Sequence, residues 1–201
     1  MQSLDDKIIK RISKRGRGTA FCASDFAIIG DVKSVSKALE RLTNSKKIIR
    51  VARGIYCYPK IDKELGFGVL YPSFDEIAKI IAKRDKARIV PTGLYALNKL
   101  GLSTQVPMNI VYLTDGSSRK IKITNGRGIL FKHTAPKNFA FQNEIIMLLT
   151  LALKEIGQEK VTKRHLLKIK EILQNEPKKK ILKDLKLMPN WIRKIIINAY
   201  E

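Results

Sequence analysis

Apolar residues near the start of the chain recur every three or four positions, which is the spacing of one helix face. Leu4, Ile8 and Ile12 follow this pattern with basic residues between them, so we expect a first helix here. Ser3 is a suitable cap for its start, and glycines at positions 16 and 18 end the pattern. Residues 19–21 then favour a short strand.

Two more helices are predicted before residue 45. Ser24 can cap a short second helix that buries Phe26, Ile28 or Ile29, and a glycine and an aspartate then form a turn. A third helix is expected over residues 32–44, because its apolar residues fall on one face at ~100° per residue. That inward face consists of Val35, Ala38, Leu39 and Leu42.

Two strands complete this part of the chain. Residues 46–51 predict one strand, residues 52–54 a turn and residues 55–58 a second strand that Pro59 stops. The resulting order is helix, strand, helix, turn, helix, strand, turn, strand. We therefore expect residues 1–60 to form a winged helix-turn-helix domain.

The chain is strongly basic. It has 40 lysines and arginines against 18 acidic residues, for a net charge of +22, and such a surface attracts polyanions such as nucleic acid. The composition of the host genome is an alternative source, since lysines outnumber arginines 28 to 12, but it does not explain the shortage of acids. The net charge is +9 over residues 1–60, +7 over 61–140 and +6 over 141–201, so charge alone does not locate a binding site.

The third helix and the wing carry the candidate DNA contacts. Side chains near the start of a helix in the major groove reach base edges, and those farther along contact phosphate. The base-edge candidates are Lys33, Ser34, Ser36 and Lys37, the phosphate candidates are Arg41 and Asn44, and the wing adds Lys46, Lys47, Arg50 and Arg53. A merely solvated helix face, or a winged helix that docks proteins, would have the same pattern.

Residues 61–201 are expected to form a second, mostly helical domain with a small antiparallel sheet. Residues 61–71 suit a linker, and helix faces follow around Ile77 and Leu97. Strands are expected near residues 110–113, 120–123 and 129–131, the last two joined by a hairpin at Asn125-Gly126. The fold class is therefore α+β.

The apolar pattern at the end of the chain predicts several helices. Residues 145–153 are apolar around most of the circumference, which predicts a central helix that is too short to span a bilayer. An amphipathic helix follows, built on Leu166, Leu167, Ile169, Ile172 and Leu173. Pro177 and a lysine run separate it from residues 181–187, and Pro189 starts a last helix.

Motifs of catalysis are lacking, so we do not expect an enzyme or a cofactor. Cys22, Cys57, His133 and His165 could supply four zinc ligands, but no two have ligand spacing, which favours core thiols and surface imidazoles. The pair Gly116-Ser117 resembles a nucleotidyltransferase loop but lacks carboxylates after it. An acidic N-terminus without an apolar run predicts a cytoplasmic protein rather than a secreted or membrane protein, and DNA binding would make it nucleoid-associated.

Four segments resemble a known family. Residues 21–26, 35–42 and 48–56, which end in Gly54-Ile55-Tyr56, resemble the N-terminal winged helix of abortive-infection AbiE-type antitoxins. Residues 91–107, with an Ala-Leu and a Leu-Gly-Leu element, resemble the signature of that family's second domain. The resemblance covers roughly residues 1–140 and implies a phage-defence repressor that regulates its own operon beside a nucleotidyltransferase-like toxin.

We therefore expect a transcriptional repressor that binds double-stranded DNA at its own operator and acts as the antitoxin of a toxin–antitoxin system. The alternative is a protein-binding module that neutralises or recruits a partner through residues 61–201, in which the charge serves solubility. A nuclease with acids scattered along the sequence is a third interpretation.

Overall fold

The computed structural model describes residues 2–123, 126 and 128–200. The chain is a mixed α+β protein that divides into two compact units. The first contains residues 1–87 and 120–129, and the second contains residues 88–119 and 130–201. The domain boundary expected at 60/61 stays a prediction, and these units place residues 61–87 with the N-terminal elements.

The first unit begins with the elements expected from its apolar pattern. Their bounds are α1 Leu4–Ser13, β1 Ala20–Cys22, a 3-10 helix Ala23–Phe26, α2 Val32–Asn44, β2 Ile49–Ala52 and β3 Ile55–Cys57. Ser3 and Asp6 cap α1 reciprocally, as a serine three residues before an acid can do. The predicted bounds of α2 are confirmed.

The three strands form an antiparallel sheet in the order β1-β3-β2. Phe21 pairs with Tyr56 across β1 and β3, and the two rings stack with centroids 6.3 Å apart. Helices α1 and α2 pack their apolar faces together with this sheet. The core consists of Ile8, Ile12, Phe21, Phe26, Val35, Ala38, Leu39, Leu42 and Ile48.

The short second helix differs from its prediction. It is a 3-10 helix, and Ser24 lies inside it, whereas Asp25 accepts the Cys22 backbone N–H at 2.9 Å at its start. Phe26 is buried, as one of the alternatives had it, and Ile28 is 84% exposed. The 3-10 helix has only four residues and ends at Phe26, so it has no apolar face that extends to Ile28.

Residues 61–71 are not a simple linker. Strands β4 Lys60–Asp62 and β5 Gly68–Leu70 pair as an antiparallel hairpin. Its loop is held by the Asp62 carboxylate, which accepts the backbone N–H groups of Glu64, Leu65 and Phe67. Helix α3, Phe74–Arg84, follows with a capping box at Ser73.

The second unit combines a sheet with a helical core. The strands of that sheet are β6 Ile89–Thr92, β7 Asn109–Thr114, β8 Arg119–Lys122 and β9 Gly128–His133, in the order β6-β7-β9-β8. The division into units assigns residues 120–129, which include most of β8, to the first unit. No pattern in the sequence predicted β6, which contains Pro91. A proline cannot donate to a sheet ladder, and β6 lies at the edge where this is tolerated. Asn125 of the predicted hairpin turn lies outside the described residues.

Helices supply most of the second unit's core. They are α4 Gly93–Lys99, α5 Glu144–Ile156, α6 Lys163–Gln174, α7 Lys178–Asp184 and α8 Asn190–Tyr200, with 3-10 helices at Pro136–Phe139, Gln158–Lys160 and Leu185–Leu187. Ile146, Leu149 and Leu153 of α5 are fully buried, which confirms its central place. The buried Asp184 carboxylate accepts the backbone N–H groups of Gln142 and Asn143, so it caps the entry to α5. Among the described residues no helix is long and apolar enough to cross a membrane.

The prediction of a strand over residues 46–48 is wrong. Lys46 and Lys47 close the end of α2, where the N–H of Lys46 bonds to Thr43 O at 3.0 Å and that of Lys47 to Leu42 O at 3.0 Å. These two hydrogen bonds form a Schellman motif, in which the residue after the helix cap adopts a left-handed conformation. Lys46 does so, with φ 58°, whereas the same motif after α4 uses Gly101.

Substituting Lys46→Gly should stabilise the first unit. A side chain in the left-handed region costs more than a glycine there, and we expect a gain of roughly 0.5–1 kcal/mol in the free energy of unfolding. Urea denaturation would measure it. Lys47→Gly is the matched control, because Lys47 lacks a positive φ, and it should destabilise. Equal effects of the two substitutions would contradict the strain at Lys46.

Candidate nucleic-acid interface

Helix α2 is held by one face and exposed on the other. Val35, Ala38 and Leu39 are fully buried in the core of the first unit. The Asp31 carboxylate caps the helix and accepts the backbone N–H groups of Lys33 and Ser34, both at 3.0 Å. The opposite face is therefore presented by a rigidly seated helix.

All ten candidate DNA contacts are exposed in the first unit: Lys33, Ser34, Ser36, Lys37, Arg41, Asn44, Lys46, Lys47, Arg50 and Arg53. Within the described part of the chain, neither Lys33 nor Lys37 has an ion-pair partner. These two side chains lie one helical turn apart on α2, so they present two cations on one surface. Ser34 and Ser36 add small hydroxyl groups beside them.

Arg41 is tied to another helix. Its Nε donates to Asp5 Oδ2 at 3.2 Å and its NH2 group to Asp5 Oδ1 at 2.6 Å, which is a two-point pairing between α2 and α1. This hydrogen bonding raises the pKa of Arg41 above its ordinary value. A phosphate at Arg41 has to share or replace the Asp5 carboxylate.

The start of α2 is already satisfied by protein groups. Hydrogen bonds from Ser34 and Lys33 hold the pKa of Asp31 below its ordinary value, so its carboxylate is ionised at neutral pH. A helix start often binds phosphate through free backbone N–H groups, but here an aspartate occupies two of them. Anion binding on this surface therefore depends on side chains, above all Lys33 and Lys37.

The β2–β3 hairpin projects two arginines. Arg50 lies on β2 opposite Tyr56, and Arg53 stands in the turn before Gly54. Gly54 has φ 73°, which a residue with a side chain rarely adopts, and a Cβ there would lie 3.4 Å from Arg84 NH1. The glycine therefore allows the tight turn that carries Arg53.

The sequence pattern did not single out three further side chains of the first unit. Ile28 is 84% exposed and Val32 is 60% exposed, and both lie at the turn into α2. Arg17 stacks on Tyr58 with its guanidinium carbon 4.7 Å from the ring centroid and donates to Pro59 O at 3.0 Å. Val32 lies on the apolar side of the α2 pattern, three residues before Val35, so the spacing gave no signal that it would be exposed.

The cysteines and histidines do not form a metal site in the described part of the chain, where no group of three or more metal-ligating side chains comes together. Cys22 and Cys57 are buried free thiols of β1 and β3. His133 lies on β9 with Nδ1 2.9 Å from Gly116 O, and His165 Nδ1 accepts the Thr162 backbone N–H at the start of α6. Each has a structural place of its own.

Comparison with known proteins gives a family but no activity. The model of a family described as a "Family of unknown function (DUF6088)" matches residues 7–181, most of the chain. The chain belongs to the DUF6088 family. No curated protein sequence matches this DUF6088 member.

Among the solved structures that resemble the DUF6088 chain is one of a mycobacterial protein. The crystal structure of the RV2827C protein from Mycobacterium tuberculosis is 10% identical in sequence, with a TM-score of 0.49. The alignment covers 96% of this chain and 76% of that one. A similarity of this degree carries no conclusion about function.

The buried thiol of Cys57 gives a testable pH dependence. Burial, with a contribution from the charge of Glu76, raises the pKa of Cys57 to about 11 from 9.0. Because the folded value exceeds the unfolded one, the thiol's contribution to stability is complete below pH 9 and is lost as the pH rises through about 11. The difference of two units corresponds to about 2–3 kcal/mol.

Thermal melts of the protein and of Cys57→Val between pH 8 and about 11 would measure this effect. We expect the parent protein to lose stability more steeply than the variant, which has no thiol to ionise, while lysines and tyrosines titrate equally in both. If the melting temperatures of the two proteins changed equally with pH, the raised pKa of Cys57 would be contradicted.

Proposed function

We propose that this DUF6088 protein binds double-stranded DNA through a winged helix-turn-helix in its first unit and represses transcription from its own operator. The observation that carries the proposal is the outer face of α2, where Lys33 and Lys37 are exposed, close together and unpaired among the described residues. The proposal assigns no catalytic activity to the chain.

The arrangement of elements supports this assignment. A capped helix with a buried inner face is followed by a β-hairpin, and the hairpin pairs with β1 in an antiparallel sheet. In winged helices the last of three helices enters the major groove, and the hairpin contacts the flanking backbone or minor groove. The short 3-10 helix at Ala23–Phe26 takes the position of the second helix.

The contacts divide by their distance from the start of α2. Lys33, Ser34, Ser36 and Lys37 would face base edges, where lysine pairs with guanine and serine with several bases. Asn44, Lys46 and Lys47 at the other end would hold phosphate, together with Arg50 and Arg53 of the hairpin. Exposed Val32 and Ile28 add apolar groups suited to thymine methyls.

An antitoxin role is part of the proposal and rests on resemblance alone. The segments at residues 21–26, 35–42, 48–56 and 91–107 resemble AbiE-type antitoxins, which regulate operons that also encode a nucleotidyltransferase-like toxin. We propose that the chain represses such an operon in phage defence. Growth arrest by the neighbouring gene, relieved when this chain is co-expressed, would support it, and toxicity that persists would contradict it.

Replacing the two free lysines should weaken DNA binding. In fluorescence-anisotropy titrations with a duplex from upstream of its own gene, we expect Lys33→Ala/Lys37→Ala to lower affinity at least about tenfold. The slope of log affinity against log salt should become shallower by about 1–2, because a complex with two fewer cations against the DNA releases fewer counterions when it forms. Preference over a scrambled duplex of equal length should also diminish if these side chains reach bases.

Lys179→Ala/Lys180→Ala is the matched control, since it removes the same charge from exposed positions on α7 of the second unit. It should leave the preference for the native duplex unchanged. If both double variants lose affinity equally, the binding is a general effect of charge and the assignment to α2 fails.

Releasing Arg41 should strengthen DNA binding. Asp5→Asn removes one negative charge and frees the guanidinium that Asp5 now holds. We expect affinity for native and scrambled duplexes to rise severalfold, with a salt slope larger by about 1. Glu40→Gln, which removes a charge from α2 without freeing an arginine, should have a smaller effect. Weaker or unchanged binding of Asp5→Asn would remove Arg41 from the interface.

A further inference from the structure

The apolar residues of α6 spread over more than one helix face, and only some of them are buried. Ile169 and Leu173 are fully buried in the core of the second unit. Leu166 is 40% exposed and Leu167 is 71% exposed, although the sequence predicts one amphipathic helix built on all of these residues. Two neighbouring leucines in contact with water lose the free energy that burial of their side chains would gain. Single exposed apolar residues are common on protein surfaces, whereas contiguous exposed apolar patches are rare and often mark a binding site.

The exposed leucines line a groove. Together with Ile195, Asn198 and Ala199 of α8 they enclose a volume of ≈ 440 Å³. Lys163, Leu166, Leu167 and Lys170 stand at positions i, i+3, i+4 and i+7 of α6, so they form one stripe along that helix. The groove therefore has an apolar floor with a lysine toward each end of the stripe.

The segment of the chain that contains the two groove-lining helices is basic. Residues 163–200 contain eleven lysines and arginines and three acids. The acids are all engaged: Asp184 accepts two backbone N–H groups, Glu176 accepts from Asn143, and Glu171 pairs with Lys168 at 2.8 Å. An occupant therefore meets positive charge at the groove's rim, which opposes a second copy of a chain with net charge +22.

We propose that the groove between α6 and α8 is a docking site for an acidic amphipathic helix of a partner protein. The helix would place leucine-like side chains at i, i+3, i+4 and i+7 on Leu166 and Leu167, the usual form of helix-in-groove recognition. Glutamates or aspartates beside that stripe would pair with Lys163 and Lys170. An apolar floor does not suit nucleic acid, and a concave floor does not suit a flat membrane.

The site is independent of the proposed DNA interface, which uses none of these residues. The full chain would be titrated against a fluorescein-labelled peptide of about 18 residues, with leucines in one helical stripe and glutamates flanking it. We expect saturable binding that Leu167→Glu weakens at least about tenfold. Leu182→Glu is the matched control, because Leu182 is an exposed leucine of α7 that does not line this groove, and it should bind as the parent does.

A charge exchange tests the lysines. Lys163→Glu/Lys170→Glu should lose the glutamate peptide and bind the same peptide with lysines in place of glutamates. Circular dichroism would establish that each variant folds. Absence of binding by the parent chain, equal binding of a peptide with scrambled leucines, or equal loss in Leu182→Glu would overturn the proposal. Sedimentation with phosphatidylglycerol vesicles that depends on Leu167 would also overturn it, in favour of a membrane surface.

Discussion

Burial of one face of α2 is the constraint on which the first unit depends. Val35, Ala38, Leu39 and Leu42 pack with the apolar residues of α1 and the three-stranded sheet, and this packing sets the rotation of α2 about its axis. Once that rotation is set, every side chain on the other face must point into solvent, because positions one or two apart on a helix do not share a face. The exposed lysines are a geometric consequence of the buried leucines.

The ion pair of Arg41 with Asp5 adds a second constraint on the same helix. It joins residues that are far apart in sequence and fastens the first turn of α1 to the last turn of α2. Such a pair on a solvated surface contributes little to stability, but it does fix where one cation points. The same contact takes Arg41 out of the set of free cations, so the charge available to a polyanion is smaller than the sequence suggests.

Local patterns predicted the first unit well and long-range contacts poorly. The bounds of α2 followed from its apolar spacing and its aspartate cap, both of which lie within the helix's own sequence. The pairing of Arg41 with Asp5 could not be predicted, because no local pattern specifies it. Lys46 and Lys47 were assigned to a strand because Lys46, not a glycine, occupies the left-handed position after α2. A glycine at that position would have indicated the end of the helix.

The second unit shows why an apolar pattern does not determine which residues are buried. In α6 the pattern contains more apolar residues than one helix face can hold, and the neighbouring helices decide which of them are covered. Ile169 and Leu173 face the core built around α5, whereas Leu166 and Leu167 lie beside α8 at a groove that remains open. The open groove is lined by Lys163 and Lys170, and neither lysine has an ion-pair partner among the described residues. Apolar surface and uncompensated charge in one place both favour the same event, the arrival of an acidic, partly apolar segment, because it removes the leucines from water and neutralises the lysines together.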